Sequence, residues 1–196
     1  MAKEQAVKTE DGRRARSERS RQAIIDAMLD LVKEGTLVPT AQQVSSRAGV
    51  GIRSVFRHFS DMESLYATMD VIVRDQYQGL FAGGDREGTP AERLLHAVEQ
   101  HALGYEAIGP VFLSTQAQLW RYEVVRRQYA KTQRQIRRDL EDWLPELLDL
   151  DAQEREMVDA VASFETWHRL REHQGLSRKA ATELVYALLH RIIRGQ

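Results

Sequence analysis

The chain contains no cysteine, which excludes disulfides, thiolate metal sites and a cysteine nucleophile. Only four prolines occur in 196 residues, and no segment alternates apolar and polar residues in the way that argues for strands. There is no run of eighteen apolar residues, and no signal peptide precedes the first amphipathic segment. Neither a membrane span nor secretion is expected, and a cytoplasmic location follows. Catalytic signatures are missing too. No Gly-x-Ser-x-Gly elbow, phosphate-cradling glycine loop or His-Glu-x-x-His pattern is present. Glu165 and His168 have the spacing used in di-iron bundles, but such sites need a second pair and two further glutamates, and no second Glu-x-x-His exists. We therefore expect no catalytic residue, no metal and no cofactor. The chain does not read as an enzyme.

What is there is helical. Hydrophobic content of 42% and charged content of 29% are those of a globular protein, and the apolar residues recur at spacings of three and four. The net charge of −1 conceals an asymmetry. Residues 1–59 carry 11 Lys+Arg against 7 Asp+Glu, and the remainder is acidic. A positive N-terminal module on an acidic remainder suits a protein that presents one end to a polyanion.

The stretch from Thr40 to Phe59 organises the rest. Thr40 can cap a short helix, with Gln43 completing a capping box. Ala41, Val44 and Ala48 share one face, Gly49 allows a sharp exit, and Val50 anchors the turn inward. A second helix resumes near Gly51, with Val55, Phe56 and Phe59 expected on its buried side and Ile52, Arg53, Ser54, Arg57 and His58 outward. A helix of about two turns fits the major groove of B-DNA, where arginine can bond bidentately to guanine and apolar groups can meet a thymine methyl. Arg13, Arg14, Arg16, Arg19 and Arg21 precede this module, in a tail expected to be flexible through residue 17. They read either as a solvated charge run or as an arm in the minor groove.

Residues Ile24 to Gly35, Ala48-Gly49-Val50 through Phe59, and Glu63-Ser64-Leu65 resemble the first helix, the recognition helix and the start of the fourth helix of the TetR family of transcriptional regulators. The specific resemblance covers about residues 20 to 66. It implies a helix-turn-helix DNA-binding domain over 1–60 and a larger helical effector-binding and dimerisation domain over 61–196. It also implies double-stranded operator DNA as partner, contacted through Arg19, Arg21, Thr40, Gln42, Gly51, Ile52, Arg53, Ser54, Phe56, Arg57 and His58. Three positions depart from the family pattern: Phe56 replaces a common tyrosine, Met62 a common lysine, and Gly51 the usual serine or threonine. The first two remove phosphate contacts, which shifts backbone anchoring toward Arg53, Arg57 and the arginines before the first helix.

Downstream, Ser60 and Glu63 are expected to cap a helix reaching Phe81, and Thr89-Pro90-Ala91-Glu92 to start the next, ending near Tyr105. Gly104, Gly109 and Pro110 suggest an irregular stretch. Helices are then expected over about 116–144, 151–173 and 177–193. The last has a broad apolar stripe, which reads either as a terminal helix lying deep in its own core or, as the resemblance implies, as a homodimer interface through Leu184, Leu188 and Ile192, with Val161 on the preceding helix. Aromatic and soft residues in the larger domain suggest a pocket for a hydrophobic or aromatic small molecule. Its candidates are Met69, Val73, Tyr77, His101, Ala102, Tyr105, Phe112, Gln118, Phe164 and His168. The expected function is a repressor released from a palindromic operator by that effector. The alternative is a ligand-independent architectural or cell-division DNA-binding protein on the same fold.

Overall fold

The computed structural model describes the backbone of residues 2–194, and the side chains of residues 12–75, 79–81 and 83–194. Tyr77 lies outside the described side chains. Among the described residues the regular structure is all helical, and no helix is long and apolar enough to cross a membrane. The chain forms two compact units. One comprises Met1–Ile72 with Leu113–Arg126, the other Val73–Phe112 with Arg127–Gln196.

The first unit is built on α1 (Ala2–Lys33). Its second half buries Ile24, Ala27, Met28, Leu31 and Val32, which recur at spacings of three and four, and Ile25 beside them. The helix begins earlier than the sequence reading placed it. Residues 2–18 are rich in Ala, Lys, Glu, Gln and Arg, strong helix formers without a proline, so nothing interrupts the helix before the buried stripe. Gly35, at φ 94°, ends α1: its N–H donates to Val32 O and that of Thr36 to Leu31 O.

α2 (Ala41–Arg47) opens with the expected capping box. The Gln43 N–H donates to Thr40 Oγ1 at 3.2 Å, and Thr40 N–H to Gln43 Oε1 at 2.9 Å. Gly49, at φ 64°, supplies the left-handed residue after it, and the Val50 N–H reaches back to Ser45 O. α3 (Ile52–His58) then buries Val55, with Phe59 just beyond it. Phe56 does not join them. It is 46% exposed, because one turn of helix carries Val55 and Phe59 inward and turns position 56 away by about 100° from 55.

α4 (Met62–Ala82) is capped by Asp61, not Ser60: Ser64 N–H donates to Asp61 Oδ1 at 2.8 Å. Glu63 is thereby released, and its Oε1 accepts the Val124 N–H at 3.1 Å. That bond, together with Ser114 Oγ donating to Leu37 O at 2.8 Å and the Tyr66–Tyr122 ring pair, ties residues 113–126 into the first unit.

In the second unit α5 (Pro90–Gln116) starts at the expected Thr89–Glu92 cap but runs straight through Gly104, Gly109 and Pro110. Pro110 removes the donor for the Glu106 carbonyl, on an exposed residue where water can substitute. The glycines serve packing. A Cβ at position 104 would lie 2.8 Å from the Phe81 ring. α6 (Glu123–Trp143) follows turns over 117–121, where a helix from residue 116 had been expected, and a 3-10 turn spans Pro145–Asp149. The segment expected as one helix to His173 divides. α7 (Ala152–Ala162) ends at Ser163, which caps α8 (Phe164–His168), and a π-type turn covers Arg169–His173. Ser163 Oγ donates to Ala160 O and accepts from Thr166 N–H, drawing the chain out of α7 at that residue. α9 (Arg178–Arg194) packs on α7.

Candidate nucleic-acid interface and ligand cavity

On α3, Ile52, Arg53, Phe56 and Arg57 are exposed, following the i, i+1, i+4, i+5 spacing of one helical face, and Gly51 is exposed at its start. Val55 on the opposite side holds the helix against the core. Arg57 Nη2 donates to Ser54 Oγ at 3.4 Å, and Ser54 is half-buried. His58 is less outward than expected. Its Nε2 is buried without a hydrogen-bond partner, and burial first, then Arg57 and Arg21, push its pKa below the ordinary value. Both effects disfavour the charged form of the ring.

Thr40 and Gln42 are exposed at the start of α2, with the Thr40 hydroxyl bound to Gln43 and Gln42 Nε2 donating to Ser46 Oγ. Arg19 is exposed. Arg21 is partly exposed, and its guanidinium lies over the Phe59 ring at 5.2 Å, which holds its charge against the module. Arg47, a residue not singled out from sequence, is bound bidentately to Glu34 at 2.8 and 2.6 Å. It is removed from the free positive charge and ties α2 to the turn that follows α1. The face that results is apolar and cationic together, as reading a base edge requires.

The pocket candidates distribute differently. Met69 and Gln118 are buried in the first unit, and the other described candidates belong to the second. Phe112 and Phe164 stack at 4.6 Å, Tyr105 meets both edge-on, and His168 stacks on Phe164. These rings pack on one another as a core. Val73 is buried as well. His101 and Ala102 line a void of about 10 Å³ beside Tyr105, and His101 Nε2 lies 3.2 Å from Asp139 Oδ2. Tyr105 also borders a cavity of about 290 Å³, large enough for a small organic molecule.

That cavity is made mainly by α6 and α7. Its apolar lining includes Ile136, Leu140, Leu147 and Val158, all buried, and its polar lining includes Tyr129, Gln133, Arg137, Glu141, Arg155, Asp159 and Glu165. Sequence reasoning missed most of these because it weighted aromatic residues. The available signal was the spacing of Tyr129, Gln133, Ile136 and Leu140, a stripe at i, i+4, i+7 and i+11 on the strongly amphipathic α6. Of the interface candidates, Leu184 is exposed, while Leu188, Ile192 and Val161 are partly so.

No family model matches this chain, and no curated protein matches it. Solved structures do. A transcriptional regulator from Rhodococcus sp. Rha1 superposes with a TM-score of 0.67 at 18% identity, covering 91% of this chain and 96% of its own. A TetR-family regulator from Streptomyces coelicolor gives 0.67 at 21% identity, over 89% of this chain and 79% of its own. A TetR-family regulator from Thermus thermophilus gives 0.57 at 16%, over 89% and 95%. The likeness is one of architecture, and it spans the module and the larger helical region alike: the chain has the fold of TetR-family transcriptional regulators.

Proposed function

We propose that the protein is a TetR-family transcriptional regulator, a non-enzymatic cytoplasmic repressor that binds a palindromic operator as a homodimer and is released by a small molecule. The observation that carries this reading is the α3 face, where Arg53 and Arg57 stand beside Ile52 and Phe56 on a short helix held rigidly from behind by Val55 and Phe59. Residues 1–60 take the DNA-reading role and 61–196 the effector and dimer roles.

Two further features support the reading. On α9, Ala181, Val185 and Leu189 are buried, while Leu184, Leu188 and Ile192 form a second apolar stripe that is only partly covered. With the exposed Met157 and partly exposed Val161 of α7, it offers a self-complementary face for a two-fold dimer. The cavity bounded by α6 and α7 offers an apolar site for an effector. Two recognition helices would need a separation of about 34–36 Å to enter successive major grooves, and an effector lowers DNA affinity only by its preference for a different separation or rotation.

The test is selection of bound duplexes from random DNA by the purified protein. Enrichment of an inverted repeat with half-sites about one turn apart is expected. Recovery of unrelated sequences with equal affinity would replace the operator reading with the architectural one.

A further inference from the structure

The cavity in the second unit joins an apolar floor to a rim with one carboxylate in excess. Glu141, Asp159 and Glu165 stand there against Arg137 and Arg155. Arg137 is already committed: its Nη1 donates to Glu156 Oε1 at 3.0 Å, and its Nε lies 3.6 Å from Glu141. The Tyr129 hydroxyl donates to Glu165 Oε1 at 2.5 Å, fixing that carboxylate at the rim. Asp159 differs from both. It is half-buried, yet it makes no hydrogen bond or ion pair among the described residues, not even with Arg155 one turn earlier on α7. Burial raises its pKa, the nearby Glu156, Glu165 and Glu141 add to the rise, and only Arg137 opposes it.

A carboxylate partly removed from water without a partner is destabilised, and a ligand that supplies the partner recovers that energy on binding. A neutral apolar molecule would fill the floor and desolvate Asp159 further. An anion would meet the carboxylates. A bare metal ion is poorly served, since among the described residues no group of three metal-binding side chains is assembled. We propose that this cavity binds an amphipathic organic cation, with an ammonium or amidinium head at Asp159 and Glu165 and an aliphatic or aromatic body over Leu140, Leu147 and Val158. This deepens the effector reading above and rests on it. At about 290 Å³ the cavity stands at the lower edge of the ~300–1,000 Å³ typical of ligand pockets, so the ligand is small.

The experiment uses the full chain and three probes of similar shape: benzyltrimethylammonium, the neutral alcohol 2-methyl-1-phenyl-2-propanol, and phenylacetate. Calorimetric titration should show the cation binding about tenfold or more tightly than the alcohol, and phenylacetate weakest. Asp159→Asn should weaken the cation about tenfold and leave the alcohol unchanged, which also certifies the folded cavity. Glu165→Gln gives a second reading of the same site, and Glu99→Gln, exposed on α5, should change nothing. Equal binding of cation and alcohol, an unaltered cation affinity in both rim variants, or no cation binding overturns the proposal. Operator titrations separate it from the gating reading. Cation binding that depends on Asp159 but leaves DNA affinity untouched sinks gating and keeps this site. Release of DNA by the alcohol, with no binding of the cation, keeps gating and sinks this site.

Discussion

Gly104 has no side chain because the Phe81 ring occupies the space one would need, 2.8 Å from where a Cβ would stand. That ring cannot easily move, since His101 and Tyr105 meet it edge-on at 5.4 and 5.5 Å. Gly104→Ala should gain up to about 1 kcal/mol of helix propensity and lose about 1–3 kcal/mol to overpacking. A net loss is expected in urea denaturation, and a stabilised variant would show that the ring yields. Glu106 makes a different prediction. Its carboxylate accepts from Arg171 Nε at 2.7 Å and Trp167 Nε1 at 3.1 Å, and the arginine bond first, then the indole, holds its pKa below the ordinary glutamate value of 4.5. A depressed folded pKa contributes stability that is complete above the unfolded value and disappears as pH falls through the folded one. The stability difference between the wild type and Glu106→Gln should therefore be constant near neutrality and shrink below about pH 4.5. A difference that persists unchanged at pH 3 would assign the effect to shape and not to charge.

The helices divide their residues between self-packing and outward use, and α3 and α9 test this directly. On α3, Arg53→Ala should relax preference at particular base pairs at a cost of about 1–3 kcal/mol, whereas Arg19→Ala should weaken all sequences about equally. Unchanged base preference in Arg53→Ala would mean that α3 is docked wrongly. On α9, neighbouring positions should separate two properties. Leu189, 1% exposed, belongs to the folded core, and Leu189→Ala should cost about 2–5 kcal/mol of stability. Leu188→Glu, on the partly covered stripe, should instead prevent the proposed dimer from forming, because an unpaired charge resists burial. A folded, dimeric Leu188→Glu protein in sedimentation would remove that position from the interface.

For the whole molecule, operator affinity should fall steeply with salt, since arginines displace counterions condensed on DNA. Arg19→Ala should flatten the slope of log affinity against log salt by about one, whichever duplex is used. An unchanged slope would place Arg19 off the phosphate backbone, leaving the exposed Arg13, Arg14 and Arg16 on the same helix as alternatives. Charge asymmetry predicted a polyanion-facing end, and within that end Arg47 is neutralised by Glu34 while Arg53 and Arg57 remain exposed. Composition registers all of them alike.

The helical class, the Thr40 capping box, the glycine exits at 35 and 49 and the α1 core stripe were all legible, because each follows from local backbone chemistry or a single-helix period. The exposure of Phe56, the continuity of α5 through Pro110 and the break at Ser163 were not. Apolar character at position 56 outweighed the helical period that turns it outward. Pro110 is tolerated because the carbonyl it deprives, on the exposed Glu106, can be hydrated. The break at Ser163 rests on side-chain bonds to Ala160 and Thr166 that composition does not reveal. The cavity was the least legible feature. Its lining comes from residues far apart in sequence, Tyr105, Ile136, Leu147, Val158 and Glu165, each ordinary alone. Only the tertiary structure brings them around one space and leaves Asp159 half-buried at its edge with no hydrogen bond among the described residues, because a void and an unmet carboxylate are properties of an arrangement and not of any residue.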